Sequence, residues 1–367
     1  MTKWQKVKLG DVCECLGKGK HPASFSDIKG TYPFIVSGLS EKKCNEYDND
    51  DECFIIGDGG CANIHYVNGK YAASDHTYIF KSKDDRILTK YIYKYLSGNI
   101  RILEDGFKGA GIKNISKSYI MSILIPLPPK EEQERIAKEL DAVSDLLAKQ
   151  RQLLTEQDML IKSVFYDMFI KTNNNFKVLK LEDISELITD GVHAKPVYVE
   201  KGIPFISVKN ITTGFLSFED CKYISYQDYV KFCSRCHPTY GDILYTKVGA
   251  TYGRAALVDV NADFSLYVSV ALIKPKGNMV NSVFLKHMMN SENIKRQADK
   301  SIKGIGVPDL HLIEIKNFIV FVPPLSLQQK FADIVEQIET QKQKIKLAIS
   351  ETETLFNALM AKYFDEE

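Results

Sequence analysis

The chain states one local pattern twice. IPLPPKEEQERIAKEL (Ile125–Leu140) and VFVPPLSLQQKFADIV (Val320–Val335) each give a short apolar strand, a double proline, a glutamine and then a helix. The prolines stand at 128–129 and 323–324 and the glutamines at Gln133 and Gln328, so both pairs are offset by 195 residues (323 − 128 and 328 − 133). An internal repeat of this length governs the whole fold, because each copy must build the same scaffold.

Beyond each double proline the apolar residues follow a heptad. Ile136, Leu140, Val143, Leu147, Leu154, Ile161, Val164 and Met168 keep the spacing, interrupted by Gln150 and Gln157. Adding 195 gives Phe331, Val335, Ile338, Ile345, Ile349, Phe356, Leu359 and Tyr363, interrupted by Lys342 and Thr352. Two long helices with matching narrow seams are expected to pack on each other as a coiled coil. A helix over 130–169 would be about 60 Å long at 1.5 Å per residue. Prolines suit its start, where the first N–H groups have no intrahelical partner.

The repeat continues upstream. FKGAGI (Phe107–Ile112) matches IKGIGV (Ile302–Val307) at the same offset, and the helix-like YIYKYL (Tyr91–Leu96) parallels VFLKHM (Val283–Met288). Near the start of each half, KLGDV (Lys8–Val12) pairs with KLEDI (Lys180–Ile184) and YPFIVS with IPFISV, now offset by about 172. The second copy therefore carries about 23 extra residues in its middle, the difference between the offsets. CFIIGDG, TYIFKS, DILYTKVG and VSVALIKP read as strands between turn-rich segments. The expectation is a mixed α/β domain over 1–128, a long helix over 129–171, a second domain over 172–323 and a second long helix over 324–367.

At 367 residues, 44% hydrophobic and 26% charged, the chain has the composition of a soluble globular protein with room for several cores. Met1–Leu9 does not resemble a signal peptide, and no apolar run approaches a membrane span, so no membrane and a cytoplasmic location are expected. Lys+Arg number 18 against 15 Asp+Glu in 1–128 and again in 172–323, but 7 against 9 in 129–171 and 5 against 8 in 324–367. Mildly basic domains alternate with acidic helices, which leaves room for a polyanion on the first kind. Eight cysteines in such a chain are read as reduced thiols.

These features together resemble the specificity (S) subunits of Type I restriction–modification systems. The resemblance covers the whole chain and rests on PLPPKEEQERI, the block GDILYTKVGATYGRAAL (Gly241–Leu257), KGxG before the last strand of each half, and the two-fold repeat. It implies two target recognition domains held apart by antiparallel coiled-coil helices with pseudo-two-fold symmetry. Each domain would read one half of a split double-stranded DNA site, with the helices setting the gap. The S subunit would bind no cofactor. It would dock adenine methyltransferase (M) subunits that use S-adenosylmethionine, and through them ATP- and Mg-dependent translocase/nuclease (R) subunits.

Base edges are read by Arg, Lys, Asn, Gln, Ser or Thr, and phosphates are held mainly by Lys and Arg. In the second half this nominates Lys209 and Asn210, then Thr246, Lys247, Tyr252 and Arg254 around glycines that permit close backbone approach, with His193 and Lys195 in TDGVHAKP. The first-half counterparts are Lys18, Lys20 and His21 in GKGKH, and Asn63 and His65 in CANIH. Lys108 and Lys303 on the glycine loops are phosphate candidates, and Glu131, Glu132 and Glu134 are candidates for docking the methyltransferase.

Three motifs invite other chemistry. Asp309, Glu314 and Lys316 mimic the acid–acid–lysine set of metal-dependent nucleases, but the acids are too close in sequence and the stretch IEIKNFIVFV alternates like a strand. FKGAG echoes a methyltransferase cofactor loop, yet helix precedes and strand follows it, and no N/D-P-P-Y/F tetrapeptide exists. CSRCH (Cys233–His237) has the spacing of covalent haem attachment and, with Cys221, of zinc ligands; ordinary thiols are the plainer reading. The rival to DNA selection is a coiled-coil scaffold that binds only protein.

Overall fold

The structure is a computed structural model that describes residues 4–111, 113–171, 175–193, 196–302 and 306–364. The first half runs β1 (Lys6–Lys8), α1 (Leu9–Val12), β2 (Cys13–Lys18), β3 (Tyr32–Ile35), β4 (Lys42–Cys44), β5 (Asn49–Gly57), β6 (Ile64–Ala73), β7 (Thr77–Ser82), α2 (Thr89–Gly98), α3 (Ile100–Glu104), β8 (Phe107–Lys108), β9 (Asn114–Ile115), α4 (Lys117–Ser122), β10 (Leu124–Pro126) and α5 (Lys130–Phe169). The second runs β11 (Lys177–Lys180), β12 (Ser185–Asp190), β13 (Tyr198–Val199), β14 (Ile203–Ile206), β15 (Lys222–Ile224), α6 (Tyr226–Cys233), β16 (Ile243–Thr246), β17 (Ala255–Leu257), β18 (Ser265–Leu266), β19 (Val270–Pro275), α7 (Ser282–Met289), α8 (Glu292–Ser301), α9 (Leu312–Lys316), β20 (Ile319–Val322) and α10 (Leu325–Phe364).

Two compact units result. One comprises 1–152 with 346–367, the other 153–345, so each domain packs with part of both long helices. The first unit holds a six-stranded mixed sheet of order β2-β7-β5-β6-β3-β4. The second holds two four-stranded sheets, β12-β19-β16-β17 and β13-β15-β14-β18. The order β2-β7-β5 recurs as β12-β19-β16, which carries the repeat into the sheets. Among the described residues α6 has no first-half counterpart, and it supplies part of the second half's extra length; Ser225 caps it by accepting the Asp228 N–H at 3.1 Å.

The repeated sentence has a physical explanation. In each half the first strand pairs antiparallel with the strand before the double proline, Val7 opposite Ile125 and Val178 opposite Phe321, so the domain closes where its long helix starts. The glutamine then fastens the helix to the domain. Gln133 is fully buried: its Nε2 donates to Arg86 O (2.7 Å) and Pro128 O (2.8 Å), and its Oε1 accepts the Leu88 N–H (2.9 Å) at the start of α2. Gln328 repeats the arrangement, donating to Pro323 O (2.8 Å) and Met279 O (3.2 Å) and accepting the Asn281 N–H (2.8 Å) at the start of α7. A planar amide with two donors and an acceptor fits a gap lined by two carbonyls and one N–H.

α5 and α10 each span 40 residues and both begin after the second proline. In the first unit Arg135 reaches Tyr363 Oη (3.1 Å), Gln150 donates to Thr352 Oγ1 (3.2 Å) and Arg151 pairs with Glu353 (2.8 Å). In the second, Lys342 meets Asp158 (2.6 Å), and Phe165 lies 5.5 Å from Phe331 between ring centroids. Rising numbers meet falling ones, so within each unit the helix segments run antiparallel. The seam holds where it faces a domain, with Ile136, Leu140, Ile161, Phe331, Val335 and Ile338 buried. Two expected interruptions are also inside: Lys342 and Thr352 are buried, the lysine ion-paired to Asp158 and to Glu339 (2.8 Å). One strand expectation is corrected. IEIK lies in helix α9, and only Ile319–Val322 of that stretch is strand.

Candidate nucleic-acid interface

In the first unit the candidate residues gather where β2 and β5 end and β7 begins. The bulge at Cys15/Gly17, with Gly17 at φ +118°, re-aims β2 before Lys18. The following Gly19 lies against the backbone of the β6–β7 turn: an added Cβ would stand 2.3 Å from Ala73 O and Ser74 O. Only a residue without Cβ permits that approach, which pins Lys20 and His21 to Ala73 by backbone bonds of 3.0 and 3.3 Å. Lys18 pairs with the carboxylate of Asp58, which directly follows β5 and is buried, while His76 Nδ1 lies 3.3 Å from the other oxygen. Lys20 and His21 face Asp48 at 4.0 and 2.8 Å, and the His21 ring stacks on Phe25 at 3.7 Å.

Asn63 and His65 serve the loop itself. Asn63 is buried and donates to Cys61 O at 2.8 Å; His65, its pKa lowered by burial, donates from Nε2 to Gly38 O at 2.9 Å. Lys108 is exposed on β8, whose partner strand β9 bridges through Asn114 to Gly59 beside Asp58.

The second unit builds the equivalent place with the charges exchanged. Asp190 ends β12 as Lys18 ends β2, and Lys247 follows β16 as Asp58 follows β5. Here the carboxylate sits on the outer strand and the lysine on the inner one, 3.2 Å apart and both buried. Two more side chains converge on Asp190: Arg235 at 2.5 Å and His193 Nε2 at 3.2 Å, the imidazole nitrogen also lying 3.2 Å from Arg235 Nη2. Val248 bridges to Asp309 as Gly59 does to Asn114.

The remaining candidates divide by exposure. Thr246 is fully buried, donating to Thr251 O (2.8 Å) and accepting the Arg254 N–H (2.9 Å), so it shapes the loop. Asn210 is buried and accepts the Ser207 N–H (3.1 Å) while donating to Glu219 O (3.0 Å). Tyr252 is held by Asp299 (2.5 Å), with Lys295 3.9 Å over its ring. Lys209 donates to Asp220 O and is exposed, as are His193 and Arg254. Lys195 and Lys303 lie outside the described residues. The structure adds Asp58, His76, Asp190 and Arg235. Arg235 was within reach of sequence reading, since it stands inside CSRCH, a cluster whose thiols draw attention away from it.

Residues 1–156 and 173–351 match the family described as Type I restriction modification DNA specificity domain, one copy in each half. The chain belongs to this family. It is 23% identical to the Type I restriction enzyme MjaVIII specificity subunit of Methanocaldococcus jannaschii, over 92% of this chain and 86% of that protein. It is 22% identical to the Type I restriction enzyme EcoDI specificity subunit of Escherichia coli, over 99% and 88% respectively. The crystal structure of the Type I restriction–modification S subunit from M. genitalium superposes with a TM-score of 0.65 at 15% identity, covering 99% of this chain and 96% of that one. The shared architecture is that of S subunits: mixed α/β domains and two long helices. As a member of the Type I specificity family the chain has a DNA-selecting role rather than that of a scaffold indifferent to DNA.

The other motifs of this specificity protein are absorbed by its fold. Cys236 and Cys221 lie in one apolar core cluster and Cys233 in another, and burial raises the Cys236 thiol to about 12. Among the described residues no three His, Cys, Asp or Glu side chains gather to hold a metal. Of the acidic candidates in the first turns of α5, Glu132 is ion-paired to Arg135 at 2.5 Å, whereas Glu131 and Glu134 are exposed. Among the described residues no helix is long and apolar enough to cross a membrane.

Proposed function

We propose that each domain reads one half of a bipartite double-stranded DNA site, that the paired helices fix the unread gap, and that the same helices dock the methyltransferase subunits. Adenine methylation with S-adenosylmethionine, and ATP- and Mg-dependent translocation and cleavage, would belong to the M and R subunits that this chain directs. The observation that carries the reading is the charge exchange at one equivalent position. Two domains built on one frame present Lys18 with His76 in one case and Arg235 with His193 in the other. Different donors on a common scaffold suit two unrelated half-sites, because sequence is read by the donors and acceptors that meet base edges. A duplicated frame with helices of equal length makes half-site spacing a geometric property of the protein.

The phosphate contacts fall to the exposed basic residues, Lys20, Lys108, Lys209 and Arg254, and the docking contacts to the acidic first turns of α5. Co-expression with a methyltransferase partner in a methylation-free host, followed by mapping of methylated adenines, tests the proposal. One motif of two short half-sites with a fixed gap is expected. A stable complex that methylates no defined motif would refute it.

A further inference from the structure

Arg235, like Lys18, is an exposed cation on a buried carboxylate, but its carboxylate is shared with a buried lysine. Its Nη2 lies 2.5 Å from Asp190 Oδ1, and the other carboxylate oxygen is taken by Lys247 at 3.2 Å. The Asp190 side chain is 3% exposed and that of Lys247 9%, whereas the Arg235 side chain is 55% exposed. A buried pair thus anchors one nitrogen of a guanidinium that is more than half exposed, with His193 Nε2 3.2 Å from the same nitrogen. The anchor is fixed in turn: Asp190 ends a strand paired to β19, the backbone N–H of Lys247 donates to Ser269 O (3.0 Å), and Arg235 follows α6 with its own N–H on Phe232 O (3.1 Å).

We infer that Arg235 reads a guanine in the half-site of the second domain and that Asp190 is its positioning residue. This rests on the proposed DNA-reading function and names the chemistry at its second site. A phosphate contact works through charge and tolerates a flexible side chain, but here the charge is partly met by a carboxylate at hydrogen-bond distance. What remains to the guanidinium is its fixed planar fork. That fork matches the O6 and N7 acceptors of guanine in the major groove, where an arginine bonds both at once. A lysine ammonium can also donate to both acceptors, but from one freely rotating nitrogen and without the fixed planar fork. In the first unit the same position shows Lys18 and His76 on Asp58, so the fork is specific to the second half.

The test is the methylation motif of the assembled complex, wild type beside Arg235→Ala, Arg235→Lys and Asp190→Asn, with DNA affinity measured at several salt concentrations. The wild type is expected to require G·C at one position of one half-site. Arg235→Ala should lose discrimination there by roughly 10-fold or more and Arg235→Lys should keep only part of it, leaving the other half-site and the salt slope unchanged. Asp190→Asn should relax the same position, and Lys18→Ala should leave it intact. An unchanged motif in Arg235→Ala would overturn the inference. So would an even loss of affinity across all positions with a shallower salt dependence, the mark of a phosphate contact. Absence of any bipartite motif in the wild type would instead remove the functional reading beneath it.

Discussion

Replacing Gln133 by leucine tests whether the repeated glutamine fastens helix to domain. The substitution keeps the approximate size of the side chain and removes three hydrogen bonds of 2.7, 2.8 and 2.9 Å. It strands the Leu88 N–H and the carbonyls of Arg86 and Pro128 around a fully buried position. A buried polar group left without its partner costs about 1–3 kcal/mol, with carbonyls toward the low end because they tolerate under-satisfaction better. Three such groups sum to roughly 4 kcal/mol, of which the added apolar burial of leucine returns about 1 kcal/mol. A net loss of about 3 kcal/mol lowers the melting temperature of a unit this size by roughly 6–12 °C. Because the chain has two units, amide hydrogen exchange at Leu88 is the better assay than a global transition, and its protection should fall by about two orders of magnitude. Gln328→Leu should cost less, about 2 kcal/mol, since its bond to Met279 O is already 3.2 Å. A Gln133→Leu protein with unchanged Leu88 exchange and melting would refute the reasoning.

Three further outcomes follow from single groups. The Nε2 of the half-buried His287 lies inside without a hydrogen-bond partner, and burial, then Lys286 and Lys342, lower its pKa to about 3. A folded-state pKa below the unfolded value near 6.5 means that the unfolded chain binds the extra proton. The second unit should therefore lose stability as pH falls from about 6.5 toward 3, by at most about 5 kcal/mol in all, and His287→Leu should flatten that slope in denaturant titrations. Lys108→Ala and Arg254→Ala should each weaken DNA binding evenly across sequences and reduce the salt slope by about 1; a change of motif would count against phosphate contacts. Reversing Glu131 and Glu134 to lysine should weaken methyltransferase capture in a pull-down while leaving folding intact, and undiminished capture would remove these residues from the docking face.

The framework was legible in the sequence because it is periodic and local. The heptads, the double prolines and the strand stretches CFIIGDG and TYIFKS state their structures directly, and α5 and α10 span the residues that the seam predicts. Lys342 shows the limit of periodicity: a charged residue at a seam position marks an interruption in the pattern, yet it stays buried by pairing with Asp158 and Glu339. IEIK misled because four residues of apolar–polar alternation fit a short helix as well as a strand.

The candidate surface was less legible, since it is assembled from segments far apart in the chain. Asp58 meets Lys18 across 40 residues and Arg235 meets Asp190 across 45, and no spacing rule links them. Thr246 and Asn210 were nominated for their donors, but the folded loops use those donors themselves. Residue type pointed to loops that the fold brings together, without separating the groups that build the loops from those that face outward.

The central claim is that the helices set the distance between two independent readers. It is tested most directly by inserting one heptad at the centre of both α5 and α10 and mapping adenine methylation beside the wild type. Seven residues lengthen a helix by about 10 Å, or about three base pairs of B-DNA. The account predicts the same two half-sites with an unread gap longer by about three base pairs. An unchanged gap, or altered half-sites at the original spacing, would contradict it.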